Sequence, residues 1–372
     1  PPARPLRTVP SGIVADCSKP ADADLARFLA TVPDGATVRF PPNACYAEQN
    51  PIFLNDRRDL VVDGNGSTFR AVGDDVATCR PNWWIQGGSG ITLENITVYG
   101  RNRTGWDGPR PPVVVEQCEH GFTFASTQGG ALLGSKAFDV YGDPVSFEPD
   151  VRKQDYCAVP PARDIVVDGF EGVNAGRTVG ITDGERITIR NSHFADLYDA
   201  GVDLEPDLAC EYVKDIHITG NRFGRYRFAL LNTYSAIVPS DHSGGIEFSD
   251  NVTEADPTTC YPPVDFIGAG SGGADDHFLA GVTIARNQLR TLAEGVILER
   301  VHGAHVEGNT MARDAGAGCA NPDVAPGFFG LVLHDAHDVN VAGNVLQSGP
   351  HGGFDGDLSA DALSTGVTRN AG

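Results

Sequence analysis

The stretch "DIHITGNRF" (residues 215–223) returns in altered form as "GIEFSDNVT" (245–253), "GVTIARNQL" (281–289), "AHVEGNTM" (304–311) and "DVNVAGNVL" (338–346). Each copy has two apolar residues separated by one position, then two further residues, then an asparagine. The asparagines are 22 to 36 residues apart. Self-similarity at such a period is typical of a solenoid, in which one repeat makes one coil. We therefore expect coils of similar geometry joined by loops of variable length.

The local pattern of each repeat predicts β-strands. Apolar residues alternate with other residues at a period of two, which is the period of side chains along a strand. In "GITLENITV" (90–98) and "RITIRNSHF" (186–194) the asparagine comes one place sooner, and "DIVVDGFEG" (164–172) has Asp-Gly instead. Asparagine and glycine tolerate the positive φ of a tight corner, and stacked asparagines can bond from coil to coil. Only "DADLARFLATV" (22–32) has clear helical spacing, with an aspartate as its expected cap.

Composition limits the classes of partner. The 372 residues carry a net charge of −21, which argues against nucleic-acid binding. The sequence has no apolar run near the roughly 20 residues that cross a bilayer, so we expect no membrane partner. Eight cysteines without CxxC spacing indicate disulfides and secretion. The start, "PPARPLRTVP" (1–10), lacks the apolar core of a signal peptide, so we expect the leader to have been removed.

The helix at 22–32, the following "DGATVRFPPNACY" (34–46) and the Ile-x-Ile-x-x-Asn coils together resemble the pectin-lyase-like right-handed parallel β-helix, an all-β fold. The resemblance covers roughly residues 15–350. It implies a single β-helix domain over 1–372, with about nine or ten coils and the helix as its N-terminal cap. Residues from about 355 to 372 would form a C-terminal cap or a disordered tail. The superfamily includes polysaccharide lyases, polygalacturonases, epimerases and non-enzymatic tailspikes, so the resemblance specifies the fold rather than the activity.

In that fold each coil has three strands, and the strand before the next repeat forms the floor of a substrate groove. The expected groove strands are "WWIQ" (83–86), "FTFA" (122–125), "VSFEPD" (145–150), "VGITD" (179–183), "VDLEPD" (202–207), "ALLN" (229–232), "VDFI" (264–267), "VILE" (296–299) and "LVLH" (331–334). Alternation then turns a series of polar side chains outward, Asp265 among them.

Two of these strands carry matching acidic motifs, "VSFEPD" and "VDLEPD". Strand geometry places Asp203 and Glu205 roughly 7 Å apart and Glu148 and Glu205 about 10 Å apart. Inverting glycosidases hold their two carboxyls about 6.5–9.5 Å apart. Like charges this close also keep one carboxyl protonated as an acid. We therefore predict a glycoside hydrolase whose catalytic residues are Asp203, Glu205, Asp183 and Glu148.

Three alternatives stay open. The acidic residues are compatible with a solvated face that has no chemistry. They would also suit calcium in a calcium-assisted lyase for a uronate polymer, with an arginine or a tyrosine as base. The third alternative is a non-catalytic carbohydrate-binding or tailspike-like solenoid. We expect no obligatory cofactor, with calcium the possible exception. The polygalacturonase motifs are not present in order, and the mannuronan epimerase motif is absent. No family catalytic residue is therefore transferred to this sequence.

The predicted partner is a polysaccharide or an oligosaccharide, and the negative charge favours a neutral one. Aromatic faces stack on sugar rings, and polar side chains near the groove orient the sugar. The expected substrate-binding residues are Asp207, Asn232, Trp84, Trp106, His120, Arg227, Glu299 and His334. From their places on the coils, the cysteines are expected to pair as 17–45, 79–118, 157–210 and 260–319.

Overall fold

A computed structural model of the chain describes residues 4–73, 80–106, 119–208, 210–233, 243–254, 257–268, 279–314, 319 and 327–370. Cα proximity divides the chain into two compact units, residues 1–183 and 184–372. Each unit consists of parallel β-helix coils with an apolar interior. In the described ranges, no helix is long and apolar enough to cross a membrane.

The first unit contains helix α1 (Asp22–Thr31) and a short 3-10 helix (Tyr156–Ala158). Its strands are β1 (Leu6–Thr8), β2 (Asp16–Pro20), β3 (Thr37–Arg39), β4 (Cys45–Glu48), β5 (Ile52–Asn55), β6 (Val61–Ala71), β7 (Arg80–Gln86), β8 (Ser89–Tyr99), β9 (Glu119–Ala125), β10 (Gln128–Leu133), β11 (Lys136–Phe138), β12 (Val145–Glu148), β13 (Ala162–Asp168), β14 (Glu171–Ala175) and β15 (Val179–Ile181). Strands β5, β7, β9, β12 and β15 form one parallel sheet, the groove sheet of this unit, and the others form a second sheet.

Helix α1 takes the place of a groove strand in the first coil. Strand β1 pairs with β3 and β2 pairs with β4, whereas α1 contacts the edge strand β5. Leu25 and Leu29 are the buried face of the helix. The expected aspartate cap is wrong, because Ala21 is the N-cap and makes no side-chain bond. Asp22 instead accepts hydrogen bonds from the Gln49 amide and the Asn50 side chain, which ties the helix to the next corner.

The second unit repeats the three-stranded coil. Its strands are β16 (Gly184–Arg190), β17 (His193–Leu197), β18 (Val202–Leu204), β19 (Val213–Thr219), β20 (Arg222–Phe223), β21 (Leu231–Asn232), β22 (Gly244–Ser249), β23 (Val252–Thr253), β24 (Val264–Ile267), β25 (Leu279–Ala280), β26 (Thr283–Ala285), β27 (Gln288–Thr291), β28 (Val296–Glu299), β29 (Val301–His302), β30 (His305–Glu307), β31 (Thr310–Arg313), β32 (Phe329–His334), β33 (Asn340–Ala342), β34 (Val345–Ser348), β35 (Gly356–Ala360) and β36 (Thr368–Asn370). Its groove sheet has the order β18, β21, β24, β28, β32, β35.

The repeated asparagines form a buried ladder inside the second unit. Asn221, Asn251, Asn287, Asn309 and Asn344 follow one another, and from Asn251 onward each carboxamide oxygen accepts two hydrogen bonds of 2.9–3.1 Å from the preceding asparagine. The positive φ lies one residue earlier, at Gly220, Asp250, Arg286, Gly308 and Gly343. In the shifted repeats Asn95 and Asn191 themselves adopt the positive φ. An asparagine at the corner position therefore adopts the positive φ itself, whereas an asparagine one place later joins the ladder.

All nine expected groove strands are strands of the two groove sheets, and two further ones, β5 and β35, escaped the sequence pattern. The segment expected to be a cap or a tail contributes β35 and β36. Disulfides join Cys17 to Cys45 and Cys260 to Cys319, as expected. Cys157 and Cys210 are both disulfide-bonded. The predicted 79–118 bridge lies outside the described residues.

Candidate functional site

The groove sheet of the second unit presents a row of polar side chains on its outer face. Asp203 in β18 is in register with Asn232 in β21, which is in register with Asp265 in β24. Their apolar neighbours point into the core, so alternation forces these three outward. Glu299, at the end of β28, is paired with Ile267, two residues beyond Asp265. We call Asp203, Asn232, Asp265 and Glu299 the acidic row.

The first two members of the row are bonded to each other. Nδ2 of Asn232 donates a 3.1 Å hydrogen bond to Oδ1 of Asp203. Each residue is only 4% exposed. The carboxylate of Asp203 is therefore held in one orientation, with little access to bulk water.

The pKa of Asp265 is raised above that of an ordinary aspartic acid. Its burial, together with the negative charges of Glu299 and Glu294, raises its pKa to about 6. Burial disfavours the charged form, and a neighbouring carboxylate disfavours it further. At mildly acidic pH Asp265 therefore keeps a proton that a free aspartic acid would have lost. It can act as a proton donor in that range.

The spacing within the row suits a pair of carboxyls on either side of a bound sugar. Glu299 lies one strand away from Asp265 and two residues further along, so their backbones are about 8 Å apart. Two strand spacings separate Asp265 from Asp203, which gives about 10 Å. Inverting glycosidases hold their two carboxyl groups about 6.5–9.5 Å apart. The backbone spacing of Asp265 and Glu299 suits that distance better than the spacing of Asp265 and Asp203.

The second acidic motif continues past β18 without extending the row. Glu205 is half-buried directly after the strand, and Asp207 is exposed. Glu211 folds back so that its carboxylate accepts the amide protons of Asp207 and Leu208 at 2.7 and 3.0 Å. The turn after the motif is therefore closed by a glutamate.

The first acidic motif, "VSFEPD" (145–150), lies in the first unit, and its last residue is bonded differently. Glu148 is the half-buried last residue of β12, and Asp183 is buried just beyond β15. Asp150, in contrast, is clamped by Arg152, whose guanidinium also bonds both carboxylate oxygens of Asp56 at 2.9 Å. Burial acts to raise the pKa of Asp150, but the hydrogen bonds from Arg152 outweigh it and the pKa falls. Asp150 is thus part of a structural ion pair.

Three candidates of the first unit remain: His120 and Trp84 lie in strands of its groove sheet, and Trp106 lies outside that sheet. His120 is half-buried, and its Nδ1 accepts the amide proton of Asp143 at 3.0 Å. Trp84 in β7 points outward and stacks on Phe53 of β5, with ring centres 5.6 Å apart. Trp106 is half-buried at the edge of a described range. The role of these side chains in sugar binding stays a prediction.

In the second unit, Glu299 and His334 are register neighbours on β28 and β32. Nδ1 of His334 lies 3.6 Å from a carboxylate oxygen of Asp361. Arg227 covers the ring of Tyr198, with its guanidinium 5.5 Å from the ring centre. The structure thus places Asn232, Asp203, Glu299 and His334 along one sheet.

Groups that a lyase would use as base are held in other contacts. Arg177 bonds Asp143 and Arg225 bonds Asp196. Tyr226 is buried and donates to a backbone carbonyl. Burial raises its pKa, which opposes the ionised form that a base requires. Among the described residues, no three His, Cys, Asp or Glu side chains converge on a point that could hold a metal ion.

Sequence reasoning placed Asp265 outward but did not include it among the candidate site residues. Its elevated pKa depends on Glu299 and Glu294, which come from the next coil and are about thirty residues away in the chain. Phe53 was missed because β5 does not carry the repeat pattern. The strand alternation of "IFLN" (52–55) was the available signal.

Comparison with known proteins identifies the fold. No family model and no curated protein matches the sequence. Among solved structures, the DFA-IIIase of Arthrobacter chlorophenolicus A6 without its lid superposes with a TM-score of 0.62 at 12% identity, covering 98% of this chain and 94% of that one. The family 28 exopolygalacturonase of Yersinia enterocolitica gives 0.61 at 11% identity, with 99% and 78% covered.

The tailspike protein 3 of bacteriophage CBA120 gives a TM-score of 0.57 at 12% identity, and the chain, 96% of which is covered, spans 56% of that protein. These similarities show the expected right-handed parallel β-helix fold. At such low identity they establish the fold alone.

Proposed function

We propose that this chain is a glycoside hydrolase that acts on a neutral polysaccharide or oligosaccharide through the acidic row of its second unit. The observation that carries the proposal is Asp265, a half-buried outward carboxyl whose pKa is raised to about 6 beside Glu299. A perturbed carboxyl with a specific charged partner on an open face is a frequent sign of acid–base catalysis.

In this mechanism Asp265 is the general acid that protonates the glycosidic oxygen as the bond to the sugar breaks. Glu299 is the general base that removes a proton from the attacking water on the opposite face of the ring. Their backbones are about 8 Å apart, which is compatible with two carboxyls that leave room for that water and with inversion at the anomeric carbon. Asp203, bonded to Asn232, would orient the sugar hydroxyls.

Three further observations support the proposal. The similar folds include an exopolygalacturonase, an enzyme that acts on a glycan by name, although they also include a surface adhesin of Streptococcus pneumoniae. The disulfides Cys17–Cys45 and Cys260–Cys319 support an extracellular location. The strongly negative chain repels polyanions, which favours a neutral substrate.

The test is a panel of neutral and uronate polysaccharides with the wild type, Asp265→Asn and Glu299→Gln, each with and without chelator. The readouts are new reducing ends and the ultraviolet absorbance of unsaturated uronates. A matched control is Glu307→Gln, a carboxylate of β30 on the other sheet of the same unit. We expect reducing ends without absorbance, and a loss of about 10²–10⁴ in rate for Asp265→Asn.

Other results would overturn the assignment. Ultraviolet absorbance that disappears with chelator would make the protein a calcium-assisted lyase. Full activity of Asp265→Asn would exclude Asp265 as the acid. Binding of a glycan without any turnover would make it a non-catalytic solenoid.

A further inference from the structure

A pair of stacked aromatic rings lies on the outer face of the first unit, at the edge of its groove sheet. Phe53 and Trp84 are register neighbours on β5 and β7, with ring centres 5.6 Å apart and planes inclined by 26°. Phe53 is 39% exposed, and Trp84 is partly exposed. Strand β5 ends the sheet, so no further strand covers the phenyl ring.

A cavity lies directly beside the exposed ring. It is bounded by Ala26 and Ala30 of α1 on one side and by Phe53 and Asn55 of β5 on the other. Leu29 of the helix also lines the cavity, but Ala26 and Ala30 are small and leave space beside the phenyl ring. Asn55 is exposed two residues along the same strand, on the same face as Phe53, and offers both a donor and an acceptor.

The charges around this cavity discriminate between classes of ligand. The guanidinium of Arg57 is fully engaged, with Asp34 at 2.8 Å and with the carbonyls of Leu29 and Val32 at the end of α1. Arg152 is bonded to Asp56 and Asp150. Arg57 and Arg152 are thus already paired with carboxylates, while Asp34 and Asp56 keep exposed carboxylates. These exposed carboxylates disfavour an anionic ligand, although the charge of Arg58 also acts on Asp34.

We propose that Phe53 and Trp84 form a binding site for a neutral sugar ring of an oligosaccharide, with the ring stacked on Phe53 and its hydroxyls bonded to Asn55 and Asp34. The apolar face of a sugar packs on an aromatic face, and its hydroxyls need donors and acceptors at the rim. The ligand class follows the proposed function, but the site lies in the first unit and binds without performing chemistry.

Equilibrium binding of neutral and uronate pentasaccharides, measured by calorimetry, tests the site. The background is Asp265→Asn, so that the ligand is not cleaved. Phe53→Ala and Trp84→Ala are expected to weaken binding of the neutral ligand about tenfold each, while Trp84→Phe retains most of it. The matched control is Phe138→Ala, because Phe138 stacks on Tyr99 in the other sheet of the same unit.

Each contrary result has a definite meaning. Unchanged binding in Phe53→Ala and Trp84→Ala would overturn the site, as would preference for the uronate ligand or no binding of any neutral member. If Phe53→Ala fails to fold, Phe53→Leu keeps the apolar volume without the flat ring and must show the same loss. Hydrolysis and binding are measured separately. Loss of hydrolysis in Asp265→Asn with binding intact supports the proposed reaction, whatever the Phe53 and Trp84 variants show, so a failure of this site can be told from a failure of the reaction.

Discussion

The carboxamide of Asn232 donates a 3.1 Å hydrogen bond to the carboxylate of Asp203 on the neighbouring strand, and both side chains are buried on the outer face of the sheet. Buried polar side chains are stabilised by hydrogen-bond partners, so this bond holds the two side chains in place. Asp265 lies one strand beyond Asn232, about 10 Å from Asp203.

Replacing Asn232 by alanine should therefore destabilise the fold. We expect the free energy of unfolding to fall by about 1–3 kcal/mol, because a hydrogen bond between two buried polar side chains is lost. Urea unfolding at pH 7 measures the change. Asn340→Ala is the matched control, since Asn340 is a more exposed residue of β33. Equal stability of Asn232→Ala and the wild type would show that Asp203 does not depend on this bond.

The raised pKa of Asp265 makes stability depend on pH. The group is protonated more readily in the folded than in the unfolded chain, where its pKa is near 3.8. Its stabilising contribution is therefore complete below about pH 4 and is lost as the pH rises through about 6. The loss is on the order of 2–3 kcal/mol at most.

Asp265→Asn should remove this dependence. The variant should be more stable than the wild type at pH 7 and no more stable at pH 4, as measured by urea unfolding across that range. Parallel stability curves for the two proteins would contradict the raised pKa.

The same group should determine the pH dependence of catalysis. If Asp265 is the general acid, kcat/KM for hydrolysis should decline above about pH 6, because the required proton is lost. The proposed substrate is neutral and does not titrate, so a decline in this pH range reports on the enzyme. An alkaline limb that lies well above pH 7 would assign the acid to another residue.

The asparagine ladder should be most sensitive in its middle. Asn287 is buried, and its side chain bonds Asn251, Asn309 and the carbonyl of Phe248. Asn287→Ala leaves several buried groups unpaired, so we expect a loss of at least about 3 kcal/mol in unfolding free energy. Asn344→Ala, at the half-exposed end of the ladder, should cost less. Thermal unfolding compares the two, and equal losses would argue against a cooperative ladder.

Glu48, in the first unit, is a buried carboxyl whose two oxygens have no hydrogen-bond partner among the residues that the structure describes. Its burial raises its pKa well above the usual value, and Asp22 and Glu119 add to the rise although Arg80 opposes it. Its ionised form therefore destabilises the fold as the pH increases. Glu48→Gln should raise Tm at pH 7.5 more than at pH 4.5. An equal effect at both pH values would contradict this prediction.

Much of the coil architecture could be predicted from the chain. The spacing of the asparagines predicts the coils, since each ladder asparagine must follow its corner residue by one position. Alternation also predicts which groove residues point outward, because side chains change face at every residue of a strand. Asp203, Asn232 and Asp265 were therefore assigned correctly to the outer face. The N-terminal coil was harder, because β1, β2 and β5 lack the repeat and α1 replaces a strand.

The sequence by itself thus determined the coil, the ladder and the outward direction of the polar residues, because these depend on local periodicity. Only the tertiary structure decided how each outward group behaves. Arg152 turns Asp150 into an ion-pair partner, whereas the similar motif ending at Asp207 is closed by Glu211. Asp265 acquires its acid character from Glu299 and Glu294. Burial and the distance between charges control a pKa, and both depend on residues that are far apart in the chain.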